Sequence, residues 1–453
     1  MKTNIINTKS ILPNSFRFDP SFHLSEAIIL GKDLDNVPYE KISIKDTNSK
    51  VFLGNIFSRI FVKDKEHGIP YLAASDTVLA DINTGRFLSK KQSKELAYLM
   101  LKKDWIVITC SGTIGNVTYT NSTFENHIAT HDLIRIVPND EKILKGYLYA
   151  FLSSKYGYNQ LTQSRFGGVV KHINADHVNG ITLPLFPEPF QKEVDDLIQE
   201  SARLREEATE ALEEAHTLIE DKFGVSAKKK SSCVSISSIR SSHNKRFEAF
   251  YHTSENRNIY DYIIQNFKYK TLGDLTSKIF RPGIFKREYV ADGVTFLGGA
   301  DILMQIPDSE KKLSYRQVEK MPELKVKRNW ILVTCGGTIG NTVIIDGQLE
   351  KCVISQHVMR IVPKDEVLKG YLYAVLSSKI GHSLITMHST GSVIPQIESH
   401  HLELVPVPIL CNEEMLYIDG LISTYVEKIE ISKEKEIKAK FLVEQEIEKW
   451  NKN

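Results

Sequence analysis

Two aligned segments carry polar side chains of the types that read base pairs. Residues 162–172 and 386–396 share one pattern of apolar and glycine positions, but their polar side chains differ. The candidate contact residues are Arg165, Lys171 and His172 in the first segment and His388, Ser389 and Gln396 in the second. In the major groove of DNA, arginine binds guanine and glutamine binds adenine, each through two hydrogen bonds. Such segments would read different sequences, and ordinary solvated loops are the alternative interpretation.

Two more segments are basic and interleaved with aromatic residues, a composition that suits contact with a polyanion. The first contains Arg59 and Lys63, and the second contains Arg281, Lys286 and Arg287. Lysine and arginine bind backbone phosphates irrespective of the base sequence. These five residues are therefore further candidates for nucleic-acid contact, again with solvated surface as the alternative.

A glycine-rich turn follows an apolar strand at residues 111–116 (SGTIGN) and again at residues 336–341 (GGTIGN). Such turns can bind phosphate through backbone N–H groups. Neither turn continues into Gly-Lys-Ser/Thr, and neither has G-x-G-x-x-G spacing, which excludes a nucleotide P-loop and a dinucleotide fingerprint. Two interpretations remain: a structural turn whose glycines adopt positive φ, and a loop that also contacts a DNA backbone.

One set of residues has a loose similarity to the metal-binding core of nucleases. Asp308 follows a proline, and Glu323 and Lys325 form an E-x-K pair, but the first half of the chain has no equivalent Pro-Asp pair. A base-flipping methyltransferase would need an Asn/Asp-Pro-Pro-aromatic loop and a glycine-rich cofactor loop, and the sequence contains neither. A self-contained nuclease or methyltransferase is therefore the weaker alternative.

The histidines and cysteines have no metal-ligand spacing, because the sequence contains neither an H-E-x-x-H motif nor a C-x-x-C pair. His400 and His401 are expected to point apart on a strand. The five cysteines are scattered and odd in number, which predicts reduced thiols. Cys110 and Cys335 hold equivalent strand positions, and we expect them to be small buried apolar residues.

The elements that must position these residues occur twice along the chain. Residues 105–116 (WIVITCSGTIGN) match residues 330–341 (WILVTCGGTIGN) at nine of twelve positions. Further matches are RIVP at 135–138 and 360–363, and GYLYA at 146–150 and 370–374. The offset drifts only between 229 and 224, so the two halves should share one fold. β-branched runs predict strands and the GYLYA region predicts a helix, which together indicate an α+β domain.

Each half ends in a long helical stretch, at residues 190–223 and 413–453. Apolar and small residues of the first stretch recur at alternating spacings of four and three, which predicts a coiled-coil seam. The seam positions are Phe190, Val194, Leu197, Ser201, Leu204, Ala208, Ala211, Ala215 and Leu218. In the second stretch the spacing holds from Ile418 to Ile429 and is then blurred by Ser432 and a Lys/Glu-rich run. Residues 224–245, rich in Ser and Lys, predict a linker, which leaves domains at 1–189 and 246–412.

Charge follows the same boundaries. The net charge is +4 for residues 1–189 (22 basic, 18 acidic) and +8 for residues 223–412 (25 basic, 17 acidic). It is −7 for residues 190–222 (4 basic, 11 acidic) and −3 for residues 413–453 (7 basic, 10 acidic). Two basic domains joined by acidic helices could bind nucleic acid at two separate points, although charge differences of this size are common.

Composition and length place the chain among globular proteins. With 453 residues, 42% hydrophobic and 25% charged, it is expected to form two to four domains with ordinary cores, which excludes wholesale disorder. The sequence has no apolar signal core at its start and no run of about 18 apolar residues. We therefore expect neither secretion nor membrane spanning, and a cytoplasmic location.

The order of domain, helix, repeated domain and repeated helix resembles the specificity subunit of type I restriction-modification systems. The resemblance covers essentially the whole chain. Its signs are the strand and glycine turn of each half, the closing segments ITLPL at 181–185 and LVPVP at 404–408, and the long helix after each. One departure is that the Pro-Pro…Glu-Gln start of the family's helices is matched partly at 187–191 and poorly at 412–415.

The resemblance implies both a fold and a function. The fold would be α+β, with two repeated target recognition domains joined by two long antiparallel coiled-coil helices in a pseudo-twofold arrangement. Each domain would read one half of a split DNA target, and the helices would set the gap between the halves. The subunit would have no catalytic centre of its own.

The resemblance also implies partners. Two methyltransferase subunits would dock on the chain, and restriction subunits would join them. S-adenosylmethionine, ATP and magnesium would be bound by these partner subunits, with no cofactor or metal in this chain. A structural coiled-coil adaptor between two other proteins is the remaining alternative.

Overall fold

The chain divides into two units in the computed structural model, which describes residues 26–163, 172–224, 234–241, 245–247, 251–252, 255–391 and 395–451. The first unit comprises residues 1–206 and 431–453, and the second comprises residues 207–430. Each of the two long helices therefore contributes residues to both units. None of the helices in the described part of the chain combines the length and the apolar character needed to cross a bilayer.

Short helices and strands alternate along the first unit. Its helices are α1 Glu26–Asp35, α2 Lys90–Glu95, α3 Lys145–Ser153, α4 Lys155–Gln163, α5 Ala175–Asn179 and the first part of α6 Glu188–Phe223. Its strands are β1 Lys41–Ser43, β2 Lys50–Leu53, β3 Phe61–Val62, β4 Gly68–Leu72, β5 Phe87–Ser89, β6 Ile106–Thr109, β7 Val117–Tyr119, β8 Ile128–Ala129, β9 Leu133–Val137 and β10 Thr182–Pro184.

These strands form three sheets. One four-stranded sheet has the antiparallel order β2-β9-β6-β7, and β6 and β9 at its centre are almost wholly buried. The second sheet has the order β3-β5-β4-β8, in which β4 and β8 are parallel. β1 pairs with β10, with Ile42 opposite Leu183, so the segment just before α6 closes the domain.

The second unit repeats this plan. Its helices are α7 Ile236–Ser241, α8 Glu255–Asn266, α9 Leu272–Leu275, α10 Tyr315–Lys320, α11 Lys369–Ser377, α12 Lys379–Thr386, α13 Ser399–Glu403 and the first part of α14 Asn412–Glu448. Its strands are β11 Tyr269–Thr271, β12 Thr276–Phe280, β13 Tyr289–Val290, β14 Val294–Leu297, β15 Lys312–Leu313, β16 Ile331–Thr334, β17 Thr342–Ile344, β18 Val353–Ile354, β19 Val358–Pro363 and β20 Pro406–Pro408. The sheet orders are β12-β19-β16-β17, β13-β15-β14-β18 and β11-β20. The prediction of a repeated α+β fold is confirmed.

Both long helices contribute buried side chains to the core of each unit, and they also pack against each other. In the first unit, Val194 of α6 and Val443 of α14 lie in one buried cluster with Ile136 of the sheet and Phe151 of α3. In the second unit, both helices contribute to the equivalent cluster around α11. Burial of apolar side chains against the sheet domain therefore stabilises these helices in addition to their own pairing.

Helix α6 follows the predicted seam with one correction. It begins at Glu188, next to Pro187, and ends at Phe223 before Gly224. Val194, Ala208 and Ala215 are fully buried as expected. The prediction for Leu218 is wrong, because Leu218 is 38% exposed and Ile219 is buried in its place. The spacing of four after Ala215 keeps Ile219 on the buried face of the helix.

Helix α14 is continuous from Asn412 to Glu448, so the weak family match at its start and the polar residues in its second half do not interrupt it. Ser432 is buried, and its hydroxyl lies 2.9 Å from the hydroxyl of Ser201. A polar residue in the seam is therefore compatible with the helix, since its hydrogen bond is satisfied within the protein.

Within the second unit, α6 and α14 run antiparallel. Glu207 pairs with Lys428 at 2.5 Å, Glu214 accepts a hydrogen bond from Tyr417 at 2.5 Å, and Lys222 pairs with Glu414. Residue numbers rise along one helix as those of the partners fall along the other. The predicted linker contains α7, so part of this segment is helical.

Candidate nucleic-acid interface

Each glycine-rich turn is held by the threonine that ends the preceding strand. The N–H of Gly115 donates to the carbonyl oxygen of Thr109 at 3.0 Å, and the N–H of Asn116 donates to Thr109 Oγ1 at 3.0 Å. In the second unit, Gly340 donates to the carbonyl oxygen of Thr334 at 2.9 Å. The matched sequences therefore form the same turn in both units.

The glycines of these turns adopt a backbone conformation that other residues rarely take. The φ angles are +70° at Gly112, +90° at Gly115, +80° at Gly337 and +87° at Gly340. A Cβ on Gly340 would also lie 2.8 Å from the side chain of Thr386. The structural interpretation of the turns is confirmed, and contact with a DNA backbone stays a prediction.

The predicted recognition segments end beside these turns. Ser111 forms an isolated antiparallel β-bridge with His172, and Gly336 forms the same bridge with Gln396. The side chain of His172 is half-buried and that of Gln396 is exposed. Each unit thus places a glycine turn and the end of a recognition segment side by side.

Two of the predicted lysines lie on the surface of the described structure. Lys63 and Lys286 are exposed, which is the position that a phosphate contact requires. Arg165 and Lys171 lie outside the described residues.

In the first unit, a carboxylate links the glycine turn to Arg59. Arg59 donates to the hydroxyls of Tyr71 at 2.6 Å and Thr130 at 3.1 Å, and its guanidinium lies 3.7 Å from Asp132 Oδ2. Ser111 Oγ donates to Asp132 Oδ1 at 2.9 Å. The guanidinium is oriented by these partners while 36% of the side chain stays exposed.

The second unit has the same frame with different polar groups. Arg287, the counterpart of Arg59, donates to Gln356 Oε1 at 3.3 Å, and Gln356 Nε2 lies 3.3 Å from His357 Nε2. His357 and Gly336 stand at the positions where the first unit has its carboxylate and its hydroxyl. The two surfaces therefore offer different hydrogen-bonding groups on equivalent backbones.

Sequence reasoning did not single out Asp132, Gln356 or His357 as site residues. They lie in the tripeptides THD at 130–132 and SQH at 355–357, shortly before the matched RIVP strands. Disagreement between two copies beside a matched strand is the signal that would have found them.

The remaining candidates of the second unit make contacts within the protein. Arg281 donates to both carboxylate oxygens of Glu398, at 2.7 and 2.9 Å. His388 is only 3% exposed, and its ring stacks on His401 with centroids 6.2 Å apart. The expectation that His400 and His401 lie on a strand is wrong, because both belong to α13, where the Glu398 N–H contacts His401 Nδ1 at 3.2 Å.

The nuclease candidates do not form a metal site in the described part of the chain. Asp308 is exposed, and Glu323 lies in a single 3₁₀ turn. Among the described residues, the group of three possible metal ligands is Asp64, Glu66 and His67, which includes none of the nuclease candidates. All three of these residues are exposed, and exposed acidic groups of this kind are common without a metal ion.

The equivalent cysteines are buried, as predicted. Cys110 is 4% exposed and Cys335 is fully buried. Burial raises the pKa of the Cys110 thiol to about 11 and also raises the pKa of Cys335. A thiol in this state is a poor nucleophile at neutral pH, so both residues act as small apolar parts of the core.

Comparison with a protein-family model identifies two copies of one domain in the chain. The model of the family described as type I restriction modification DNA specificity domain matches residues 36–213 and again residues 264–440. The S subunit of a type I restriction-modification system from M. genitalium is 12% identical, with a TM-score of 0.37 over 92% of this chain and 96% of that one. The HsdS subunit from Thermoanaerobacter tengcongensis is 14% identical, with a TM-score of 0.29 over 91% and 96%.

No curated protein matches the chain in sequence. The structural likenesses are too low in identity and TM-score to carry an argument, so the assignment depends on the family match. That match covers more than three quarters of the chain in two copies, and each copy includes one glycine turn and one strand frame of the site described above. Specificity subunits are non-catalytic DNA-recognition proteins, and this chain belongs to the type I restriction-modification DNA specificity family.

Proposed function

We propose that each unit reads one half of a bipartite DNA target and that α6 and α14 set the gap between the halves. The observation that carries this proposal is one surface built twice with different polar side chains. Three equivalent positions differ: they are Ser111, Asp132 and His172 in the first unit, and Gly336, which has no side chain, His357 and Gln396 in the second. Since base edges are distinguished by their hydrogen-bonding patterns, the two surfaces would select different half-sites.

Affinity and specificity would come from different residues. Exposed basic side chains such as Lys63 and Lys286 would bind phosphates and fix the position of each unit on the duplex. The polar groups beside the glycine turns would contact base edges. The net positive charge of both domains supports this division, because counterion release supplies much of the affinity for DNA.

The chain would act as part of a larger assembly in the cytoplasm. We propose that two methyltransferase subunits dock on it and that restriction subunits join them, with S-adenosylmethionine, ATP and magnesium bound by these partners. Membership in the specificity family supports the DNA and methyltransferase partners.

The test is to place the residues of the second unit at these three positions of the first unit. The triple variant Ser111→Gly, Asp132→His and His172→Gln is expressed with its methyltransferase subunit, and methylated positions are mapped by single-molecule sequencing. We expect one half of the recognised motif to change while the other half and the gap stay constant. Each base contact typically contributes about 1–3 kcal/mol of discrimination, which suffices to change a preferred base.

A matched control uses an exposed charge on the same chain. Lys192→Gln lies on α6, where the side chain is 65% exposed and pairs with Asp196, and it should leave both half-sites unchanged. Full methylation of the wild-type motif by the triple variant would contradict the proposal, and so would a simultaneous change in both half-sites.

A further inference from the structure

A four-residue pattern, Ile-Phe-x-Arg, occurs once in each unit, shortly after the strand β2 or β12. It comprises residues 56–59 after β2 and residues 284–287 after β12. The offset of 228 lies within the range that relates the two copies. The pattern is therefore a structural feature of the repeat and not a coincidence of one loop.

The isoleucine of each pattern projects into solvent. Ile56 is 87% exposed and Ile284 is 93% exposed, whereas the phenylalanines that follow, Phe57 and Phe285, pack against buried clusters of the sheets β3-β5-β4-β8 and β13-β15-β14-β18. Large apolar side chains in this degree of exposure lose their hydrophobic stabilisation. A single exposed apolar residue is normal on a protein surface, but here the exposure recurs at equivalent positions of both units.

The arginine of each pattern also anchors the loop, because it stacks on an aromatic ring. Arg59 lies over the ring of Tyr71, with 5.8 Å from Cζ to the ring centroid, and Arg287 lies over the ring of Phe296 at 5.4 Å. The two rings hold equivalent positions, because each belongs to the strand that pairs in parallel with the strand before the RIVP segment. A packed phenylalanine and a stacked arginine thus hold each isoleucine at the tip of its loop.

An exposed aromatic side chain stands beside each tip. Phe61 is 49% exposed and Tyr289 is 48% exposed, and each ring meets the ring beneath the arginine edge-on, at 5.4 and 6.3 Å between centroids. The apolar surface of each tip is therefore broader than one side chain and is preformed.

Charge determines which partner these tips fit. Residues 54–63 contain two basic residues and no acidic residue, and the equivalent residues 282–291 contain two basic residues and one acidic residue, Glu288, so both loops carry a net positive charge. A basic loop with an apolar tip is complementary to a polyanion with an apolar group in reach. DNA has such a group in its major groove, where the 5-methyl of thymine is the apolar feature among the base edges.

We propose that Ile56 and Ile284 enter the major groove and that each contacts the 5-methyl group of a thymine in its half-site. This inference rests on the proposed function and adds a specificity determinant to it. The isoleucine selects thymine through burial of the methyl group, while the stacked arginine and its partners contact a neighbouring base or phosphate.

The experiment uses the complex of the full chain with its methyltransferase subunit. After the motif is mapped, duplexes are made in which each thymine of the target, on either strand, is replaced in turn by uracil, which lacks the methyl group. We expect one uracil position in each half-site to weaken binding about three- to fivefold, the effect of one buried methyl group. Ile56→Ala should weaken binding to the thymine duplex by a similar factor and remove the uracil effect in one half-site only.

Ile236→Ala is the matched control, because Ile236 is 71% exposed on α7 and lies outside both loops. It should leave both uracil effects unchanged. Uracil effects that persist in Ile56→Ala and Ile284→Ala would overturn the inference and leave the proposed function standing. Half-sites without thymine, or uracil duplexes bound as well as thymine duplexes, would also overturn it. A complex without site-specific methylation would refute the proposed function itself.

Discussion

Two fully buried arginines donate hydrogen bonds to backbone carbonyl oxygens. Arg135 donates to the carbonyl oxygens of Leu133 at 2.8 Å and Ala129 at 2.9 Å, and Arg360 makes the equivalent bonds in the second unit. Burial lowers the pKa of Arg135 to about 10, so the guanidinium stays charged at neutral pH. Because Ala129 lies in β8 and Leu133 in β9, this side chain joins the two four-stranded sheets of its unit.

We expect Arg135→Met to destabilise the first unit strongly. The methionine fills much of the same volume but leaves several buried carbonyl oxygens without a donor, which should lower the free energy of unfolding by about 2–4 kcal/mol. Arg135→Lys should cost less, since the ammonium group can satisfy part of the set. Urea unfolding at neutral pH measures both.

Arg59→Met serves as the control for loss of an arginine, because Arg59 keeps solvent contact and should change stability by less than about 1 kcal/mol. Equal effects of the Arg59 and Arg135 substitutions would contradict a structural role for Arg135.

At the scale of elements, a buried polar cluster fixes α14 against the first unit. Glu436 accepts a hydrogen bond from Tyr149 of α3 and pairs with Arg205 of α6, with side chains that are 7% and 10% exposed for the arginine and the glutamate. In the second unit the equivalent tyrosine makes a different contact. Tyr373 stacks on Tyr425, with 6.3 Å between the ring centroids. The two units therefore hold their helices by different contacts on one backbone plan.

We expect Glu436→Leu alone to be much worse than the pair Arg205→Leu and Glu436→Leu. The single variant leaves a buried guanidinium without its counter-charge, at a cost of about 3–5 kcal/mol, whereas the apolar pair removes both charges. Urea unfolding of the two single variants, the double variant and the wild type forms a double-mutant cycle.

Additive effects in this cycle would show that Arg205 and Glu436 act independently and would contradict the cluster. A reverse control is Lys192→Leu, which breaks an exposed pair with Asp196 and should change stability by less than about 1 kcal/mol.

The length of the two long helices should determine the gap between the two halves of the target. The division between the units falls after Glu206 in α6 and after Glu430 in α14. Seven residues inserted at both points, duplicating residues 207–213 and 424–430, keep the contacts within each unit. Seven helical residues add about 10 Å, or up to about three base pairs at about 3.4 Å each.

We expect methylation mapping of this variant to give a longer gap with both half-sites unchanged. Seven residues inserted into the 224–245 linker provide a length-matched control and should leave the gap as it is. A gap of wild-type length in the helix variant would contradict the role of α6 and α14 as spacers.

Much of the fold could be predicted because its signals are local or repeated. The glycine turns, the strands before them and the long helices can each be recognised in short stretches of sequence. Comparison of the two copies distinguishes the positions that maintain the shared fold from the positions that differ between the units. The turns were predicted correctly because positive φ is a property of individual glycines. The predicted seam failed at Leu218, where the choice between neighbouring residues depends on which face the partner covers.

The candidate site could be predicted only in part. His172 and Gln396 were named, but Asp132, Gln356 and His357 were missed, because strand pairing and not sequence proximity brings them to the glycine turns. The burial of His388 and the pairing of Arg281 with Glu398 were equally invisible, since both depend on contacts with α13 or with the residue that caps it.

Repetition and helical periodicity are properties of the order of residues, so a duplicated α+β chain with two long helices could be predicted from the sequence. The fold was needed to learn which side chains share a surface, which arginines are buried and which isoleucines stand exposed at loop tips. Exposure and hydrogen bonding depend on distances between segments many residues apart, and chain folding sets those distances.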